Sequence, residues 1–323
     1  MSLNSTLDSL FPSTMSISNS SLSSIDYPIY HFARDELIKG IPDKYSSLFA
    51  PFATYWIVSL LFHLIDISNL PIFEKYRIHE PDEVKSKNRV TVRQVLLAVF
   101  FQQAIQTGLG LYWIEDDDPA YGPFRNHAAD LDKYAAWVGR IAVVALGKEW
   151  GMEVVKKYGA GVASWAYWWA VPVGQFFLAA ILANPSNSGS LRRYAFGALY
   201  NHPLEGFILD TLGSVLAESG AGMTTRQAML FFALSTWKTV DDHCGFALPW
   251  DPVQHLFGNN ADYHDIHHQI GGLKKNYSQP YFIHFDVLFG TRMTRAQFLA
   301  RKTDRRSPAK AIATETAPGL KEE

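Results

Sequence analysis

Near its C-terminal end the chain reads His264-Asp265-Ile266-His267-His268. On a helix, positions i, i+3 and i+4 share one face, so this spacing predicts three imidazoles presented together. Neutral imidazole is a borderline ligand that suits iron, zinc and copper. Two more histidines stand in informative surroundings upstream: His202 in Asn201-His202-Pro203, and His243 in Asp241-Asp242-His243. His202, His243, His264, His267 and His268 are therefore the candidate metal ligands. Asp242 and Asp265 are carboxylates placed to orient a neighbouring imidazole from behind, as metal-bound histidines commonly require. Five imidazoles can hold one metal ion but fall short of the set that an all-histidine two-metal centre needs. Of the 11 histidines, the others (His31, His63, His79, His127, His255 and His284) lack such context and read as structural. His284, close to Asp286, is the nearest to changing category.

Long apolar segments must position these groups. Residues 49–68 carry no Lys or Arg and one acid, Asp66, while residues 95–114 and 162–183 carry no charge. Each approaches the ~20 residues with which a helix crosses a bilayer. Tyr55, Trp56, Tyr112, Trp113, Trp165, Tyr167, Trp168 and Trp169 suit interfacial belts. His63 falls inside the first span, where an ionisable group normally faces protein. Residues 135–147 are apolar but short and contain Arg140, which fits an interfacial helix or half of a hairpin. Segments 207–217 and 228–236 are apolar enough to lie on the membrane or dip into it. No strand-period segment of any length is present. The expected fold is all-α: a polytopic membrane helical domain with a histidine-rich helical cap.

Hydrophobic residues make up 48% of the chain, and its net charge of −2 gives no sign of a nucleic-acid partner. The lone cysteine, Cys244, excludes an intrachain disulfide framework. The loop after the first span holds Lys75, Arg77, Lys85, Lys87, Arg89 and Arg93; the loop after the second holds Glu115, Asp116, Asp117, Asp118, Asp130 and Asp132. The positive-inside rule places the first loop in the cytosol and the second in the lumen. The N-terminus is then lumenal, with sequons at Asn4 and Asn19, and the histidine region is cytosolic. Residues 1–47 read as a flexible tail without a cleaved signal peptide, 48–183 as the transmembrane region, 184–293 as the catalytic region and 294–323 as a basic, disordered tail.

The text around the histidines resembles the membrane fatty acid hydroxylase superfamily, and within it the fungal sphingolipid C4-hydroxylases. The resemblance rests on Tyr194 to Gly206 (YAFGALYNHPLEG), Lys238 to Gly245 (KTVDDHCG), Asn259 to His268 (NNADYHDIHH), Asn276 to Phe282 (NYSQPYF) and Phe285 to Thr291 (FDVLFGT). It covers roughly residues 50–293 in order. It implies a helical membrane domain beneath a cytosolic, histidine-ligated di-iron site. It also implies insertion of one oxygen atom from O2 into a C–H bond of sphinganine or dihydroceramide at C4. Electrons would come from cytochrome b5 and its reductase, in the endoplasmic reticulum membrane. His202, His243, His264, His267 and His268 carry over as iron ligands.

The chain departs from that family in one interval. Two further motifs, H-x3-H and H-x2-H-H, are expected just before Tyr194, yet Leu182 to Arg193 contains no histidine. Family-like text resumes abruptly at Tyr194, which favours a splicing or gene-model gap and an incomplete catalytic region. The other account is a natural chain that has lost half its ligands and cannot hydroxylate. Three functions follow: a sphingoid-base C4-hydroxylase; an inactive membrane relative that binds long-chain bases or an active hydroxylase; or a hydroxylase or desaturase of a sterol or sphinganine-like metabolite. A histidine-based hydrolase is a poor fit, because it would want a nearby carboxylate base and an open cleft.

Overall fold

A computed structural model describes residues 27–79, 91–114, 124, 126–183, 195–200, 206, 211–269, 272, 274–277 and 281–303. His202, Asn4, Asn19 and the histidine-free interval 184–193 lie outside the described residues. Among those described, helices carry the architecture, and the β-structure is limited to two isolated bridges.

The helices are α1 (Asp43–Ser68), α2 (Pro71–Glu74), α3 (Val92–Trp113), α4 (His127–Leu146) and α5 (Lys148–Trp165). A π-helical turn (Ala166–Ala170) leads from α5 into α6 (Val171–Leu182). Then come α7 (Gly213–Ala221), α8 (Thr225–Asp242), α9 (Pro252–Leu256), α10 (Ala261–His268) and α11 (His284–Leu288). A last helix, α12, covers 295–303. Three helical stretches are long and apolar enough to cross a membrane: Asp43–Ser68, Val92–Tyr112 and Lys148–Leu182. Ile57, Leu60, Leu61 and Leu64 on α1, with Leu97, Phe100 and Phe101 on α3, turn outward. Water would not tolerate so continuous an apolar surface, but lipid would. The protein is a multi-pass, all-α membrane protein.

The chain divides into two compact units. The first comprises Met1–Ala50, Gly108–Leu182 and Val215–Phe232. In it α4 and α5 pack against each other after a one-residue turn at Gly147, whose φ of 80° suits glycine. A Cβ on Gly151 would meet Val143 Cα at 2.7 Å and the Ala142 carbonyl oxygen at 2.8 Å, so this glycine permits the close approach. The apolar stretch 135–147 is thus half of a hairpin. Residues 27–42, expected within the flexible tail, are instead pinned down. Arg226 bonds Asp43 Oδ2 at 2.6 Å and the carbonyls of Ile29 (2.8 Å), Arg34 (3.1 Å) and Asp35 (2.5 Å). His31 is buried against Tyr27, Phe32 and Trp168.

The second unit comprises Pro51–Thr107, Ala183–Ser214 and Ala233–Glu323. Its core gathers Tyr55, Val58 and Phe62 of α1, Val95 and Val99 of α3, Phe196, Val240 of α8, and Phe246. Two belt expectations change here. Tyr55 is fully buried and donates to the Phe196 carbonyl at 2.8 Å, and in the first unit Tyr167 is core as well. Trp56 donates to Gln103 Oε1 at 3.0 Å. Residues 294–303, expected within the disordered tail, are instead ordered, because α12 buries Phe298 beside Ile266 and Met293.

Candidate metal centre

The second unit builds the site from the end of α8 and from α10. His243 follows α8, and its amide bonds the Val240 carbonyl at 3.2 Å. Gly245, at φ 81°, reverses the chain into a short backbone pairing with the loop after α2. There Ile78 N donates to Gly245 O and Ala247 N to Tyr76 O, each at 2.9 Å. Helix α10 starts because Asn260 accepts the Tyr263 amide at 3.0 Å. Buried Asn276 clamps it from beyond its end, donating to the Tyr263 carbonyl at 3.0 Å and accepting from Met293 N at 2.7 Å. Asp286 accepts from the Tyr263 hydroxyl at 2.8 Å.

These elements bring three imidazoles together. His264 Nε2 lies 3.0 Å from His243 Nε2 and 2.7 Å from His268 Nε2. The donor atoms of all three fall within 4.8 Å of one another. His243 Nδ1 donates to the Thr239 carbonyl at 2.8 Å, so in the neutral ring Nε2 presents a lone pair to the cluster. However the ring protons are distributed, one of the two short contacts is left without a well-directed proton. His264 Nδ1 is also buried without a hydrogen-bond partner. A cation among the three Nε2 atoms would relieve these short contacts, since nitrogens about 2.1 Å from one ion and at right angles are roughly 3 Å apart. The set therefore fits a metal. Burial lowers His243 to about 4. Burial, joined by the neighbouring imidazoles, holds His264 well below its ordinary value. Both rings are neutral, ligand-competent bases at pH 7.

His267 stands apart from this trio. Its Nδ1 donates to the Lys275 carbonyl at 3.1 Å, and its ring centre is 6.3 Å from that of His264. His284 is exposed and packs on Phe285, so it keeps its structural reading. The two carboxylates are engaged by other groups. Asp242 forms a buried ion pair with Lys238 and accepts from Asn259 Nδ2 at 2.9 Å. Burial raises Asp242 to about 6 against the opposing charge of Lys238. Burial and then Asp242 raise Asp241 to about 8. Asp265 does hold an imidazole from behind, but it is His79, at 2.6 Å. Its other oxygen accepts from Gln269 (2.5 Å) and Arg295 (2.8 Å). Burial alone would raise Asp265, yet His79 and Arg295 outweigh it and hold the carboxyl at about 2.

Sequence reasoning missed His79, Lys238, Asn259 and Arg295. Lys238 had a legible signal, four residues ahead of Asp242 on one helix. His79 had none, because a backbone pairing with residues 245–247 brings it in. Cys244 is buried, which pushes its thiol well above the ordinary range and leaves it unreactive.

A helical membrane protein with clustered imidazoles on its cap is the class defined by this fold and site. A fatty acid hydroxylase family model matches residues 190–291. The chain is 38% identical over 270 residues to a sphingolipid C4-hydroxylase of Schizosaccharomyces pombe, covering 76% of this chain and 87% of the relative. It is 38% identical to the sphingolipid C4-hydroxylase of Saccharomyces cerevisiae, covering 80% of this chain and 74% of the relative. A sphinganine C4-monooxygenase of Arabidopsis thaliana is 33% identical, covering 78% and 88%. No solved structure matches. The chain belongs to the fatty acid hydroxylase family, on the branch of the sphingolipid C4-hydroxylases.

Proposed function

We propose that this protein is a monooxygenase that hydroxylates a sphingoid base at C4. The observation that carries the reading is a cluster of neutral imidazoles on a chain matching C4-hydroxylases over most of its length. The reaction takes one C–H bond, O2, two electrons and two protons, and yields the alcohol and water. Bound iron would supply the O2-activating redox chemistry that an unactivated C–H bond demands. His243, His264 and His268 would hold it, with His267 and His202 as further ligands. Thr239 fixes the His243 tautomer through its carbonyl. The Lys238–Asp242–Asn259 bonds fix α8 against the start of α10. Val240, Phe246 and Ala261 keep the packing between these helices dry.

The basic loop bearing Lys75 and Arg77 supports a cytosolic position for this cap, and the family resemblance supports the endoplasmic reticulum membrane. Reduced cytochrome b5 and its reductase would deliver electrons there. The histidine-free interval before Tyr194 favours one second reading, an inactive relative that binds long-chain bases. Sequencing the transcript across the codons for Ile181 to Tyr194, together with mass spectrometry of membranes that express the protein, separates the two. An in-frame segment with H-x3-H and H-x2-H-H, and 4-hydroxy base in the lipids, is the expected result. A transcript that reads as printed, with neither iron nor product, would overturn the hydroxylase reading.

A further inference from the structure

The cap carries apolar surface that its own core does not use, and α11 shows how that surface arises. Asp286 is the one buried residue of this helix. It accepts from the Tyr263 hydroxyl at 2.8 Å, the Tyr277 amide at 2.9 Å and the Thr291 hydroxyl at 2.5 Å. With that carboxylate fixed inward, Val287, Leu288 and Phe289 turn out, at 57%, 72% and 72% exposure. A single outward leucine is ordinary on a protein surface, but three large apolar side chains in a row mark a contact face.

This run is one end of a longer rim. Phe289 stacks towards Phe285 at 6.3 Å between ring centres, and Phe285 packs on His284 at 4.2 Å. Phe282 lies 6.0 Å from both His284 and Phe257. Phe257 follows Leu256, the last residue of α9, which is 73% exposed. Trp250, just ahead of α9, packs edge-on against Tyr76 at 5.1 Å and near Phe73 of α2 at 6.3 Å. There the rim meets the membrane span. Outward Leu64 and Ile67 of α1 are followed by outward Leu70 and Ile72 of α2.

Helices α2, α9 and α11 have four or five residues each, far short of a crossing, so they can meet lipid only along its surface. Exposed Lys75, Lys274 and Arg292 accompany the rim, and Lys75 Nζ lies 5.4 Å over the Tyr76 ring. The acids beside the rim are engaged: Asp66 and Glu74 pair with Arg77, Asp286 faces inward, and Asp251 caps α9. Outward leucines and phenylalanines with aromatic rings and cations suit the boundary between acyl chains and headgroups.

We propose that this rim, from α2 through Trp250 and Leu256 to α11, seats the cap in the phospholipid headgroup layer. Leu288 and Phe289 dip towards the acyl chains, and Lys75, Lys274 and Arg292 meet lipid phosphates. Phospholipid is the occupant, rather than a soluble protein, because the rim continues the lipid-facing surface of α1. The seat sets the height of the histidine-bearing α10 against the bilayer, since Asp286 ties α11 to Tyr263.

The test uses the full chain in phosphatidylcholine nanodiscs. Cys244 is buried, so a cysteine introduced on the surface takes a nitroxide label selectively. Leu256→Cys and Leu288→Cys probe the rim, with Leu60→Cys as the lipid reference and Lys302→Cys as the water reference. Paramagnetic resonance measures collisions of each label with O2, which concentrates in lipid, and with a water-soluble nickel chelate. All four substitutions replace exposed side chains, and circular dichroism should show unchanged helix content. The ratio of O2 to nickel collisions at 256 and 288 should exceed that at 302 several-fold and approach that at 60. A ratio equal to that at 302 at either rim position would overturn the proposal. Protection of the rim labels from both reagents would also overturn it, because it would mark a protein cover such as a second copy of the chain.

Discussion

The α4–α5 hairpin and the histidine cap are both helical, yet they are held by opposite means. The hairpin depends on shape: a glycine turn, a bare Gly151 against Ala142 and Val143, and apolar faces. The cap is made of short helices that are marginal by themselves. Its α10 has only eight residues, seven of them buried, and four of those are His or Asp. Polar bonds to distant segments hold it, through Asn276, Asp286, Arg295 and His79. A region built on packing tolerates small errors and fails gradually. A region built on buried charge fails when one partner is lost.

The largest effect tests what the cap is for. His264→Ala removes the imidazole that contacts both others, and iron per chain measured by mass spectrometry should fall to background while the protein stays in membranes. Iron retained at the wild-type level would break the ligand assignment. Next is the buried pair. Lys238→Met strands the Asp242 carboxylate and should destabilise the cap by about 3–5 kcal/mol in a denaturant titration. Lys238→Met/Asp242→Leu removes both charges and should recover most of that loss, because a matched apolar pair has no desolvation cost. A double variant no better than the single one would mean that the bonds from Asp242 to Asn259, and not charge pairing, dominate.

The hairpin should respond less. Gly151→Ala places a methyl under 3 Å from backbone and should cost about 1–3 kcal/mol by overpacking, read from thermal unfolding. A neutral result would show that the two helices can slide apart. Acid should distinguish the two regions further. Metal-free His243 titrates near 4 in the folded chain and near 6.5 unfolded, so the unfolded state binds more protons between those values. The contribution of His243 to cap stability should therefore be full above about pH 6.5 and decline as pH falls towards 4, while Asp241 and Asp242, raised to about 8 and about 6, act in the opposite direction. His243→Gln should remove that part of the acid dependence of amide exchange at residues 261–268 and leave residues 148–163 unchanged. The smallest change is Leu60→Ala on the outward face of α1, expected to lie within about 0.5 kcal/mol.

Much of this was legible in the chain because some physics is local. Runs of twenty uncharged apolar residues have few alternatives to a buried or lipid-facing helix, and the three spans fall where the sequence put them, with α1 and α5 extended by polar first turns. The i, i+3, i+4 spacing identified α10 as the histidine-bearing face. It did not separate His267 from its neighbours, because face membership does not say which ring a distant carbonyl will claim. Lys275 decided that. The same limit governs the carboxylates. Proximity in sequence placed Asp242 and Asp265 beside the histidines, but their partners, Lys238, Asn259, His79 and Arg295, were fixed by how α8, α10, α12 and the loop after α2 close on one another. The sequence by itself determined the helices, the membrane and the residue types of the site. Tertiary structure decided which imidazoles share a centre and which charges neutralise each other, because a buried charge takes whatever partner the fold brings within reach.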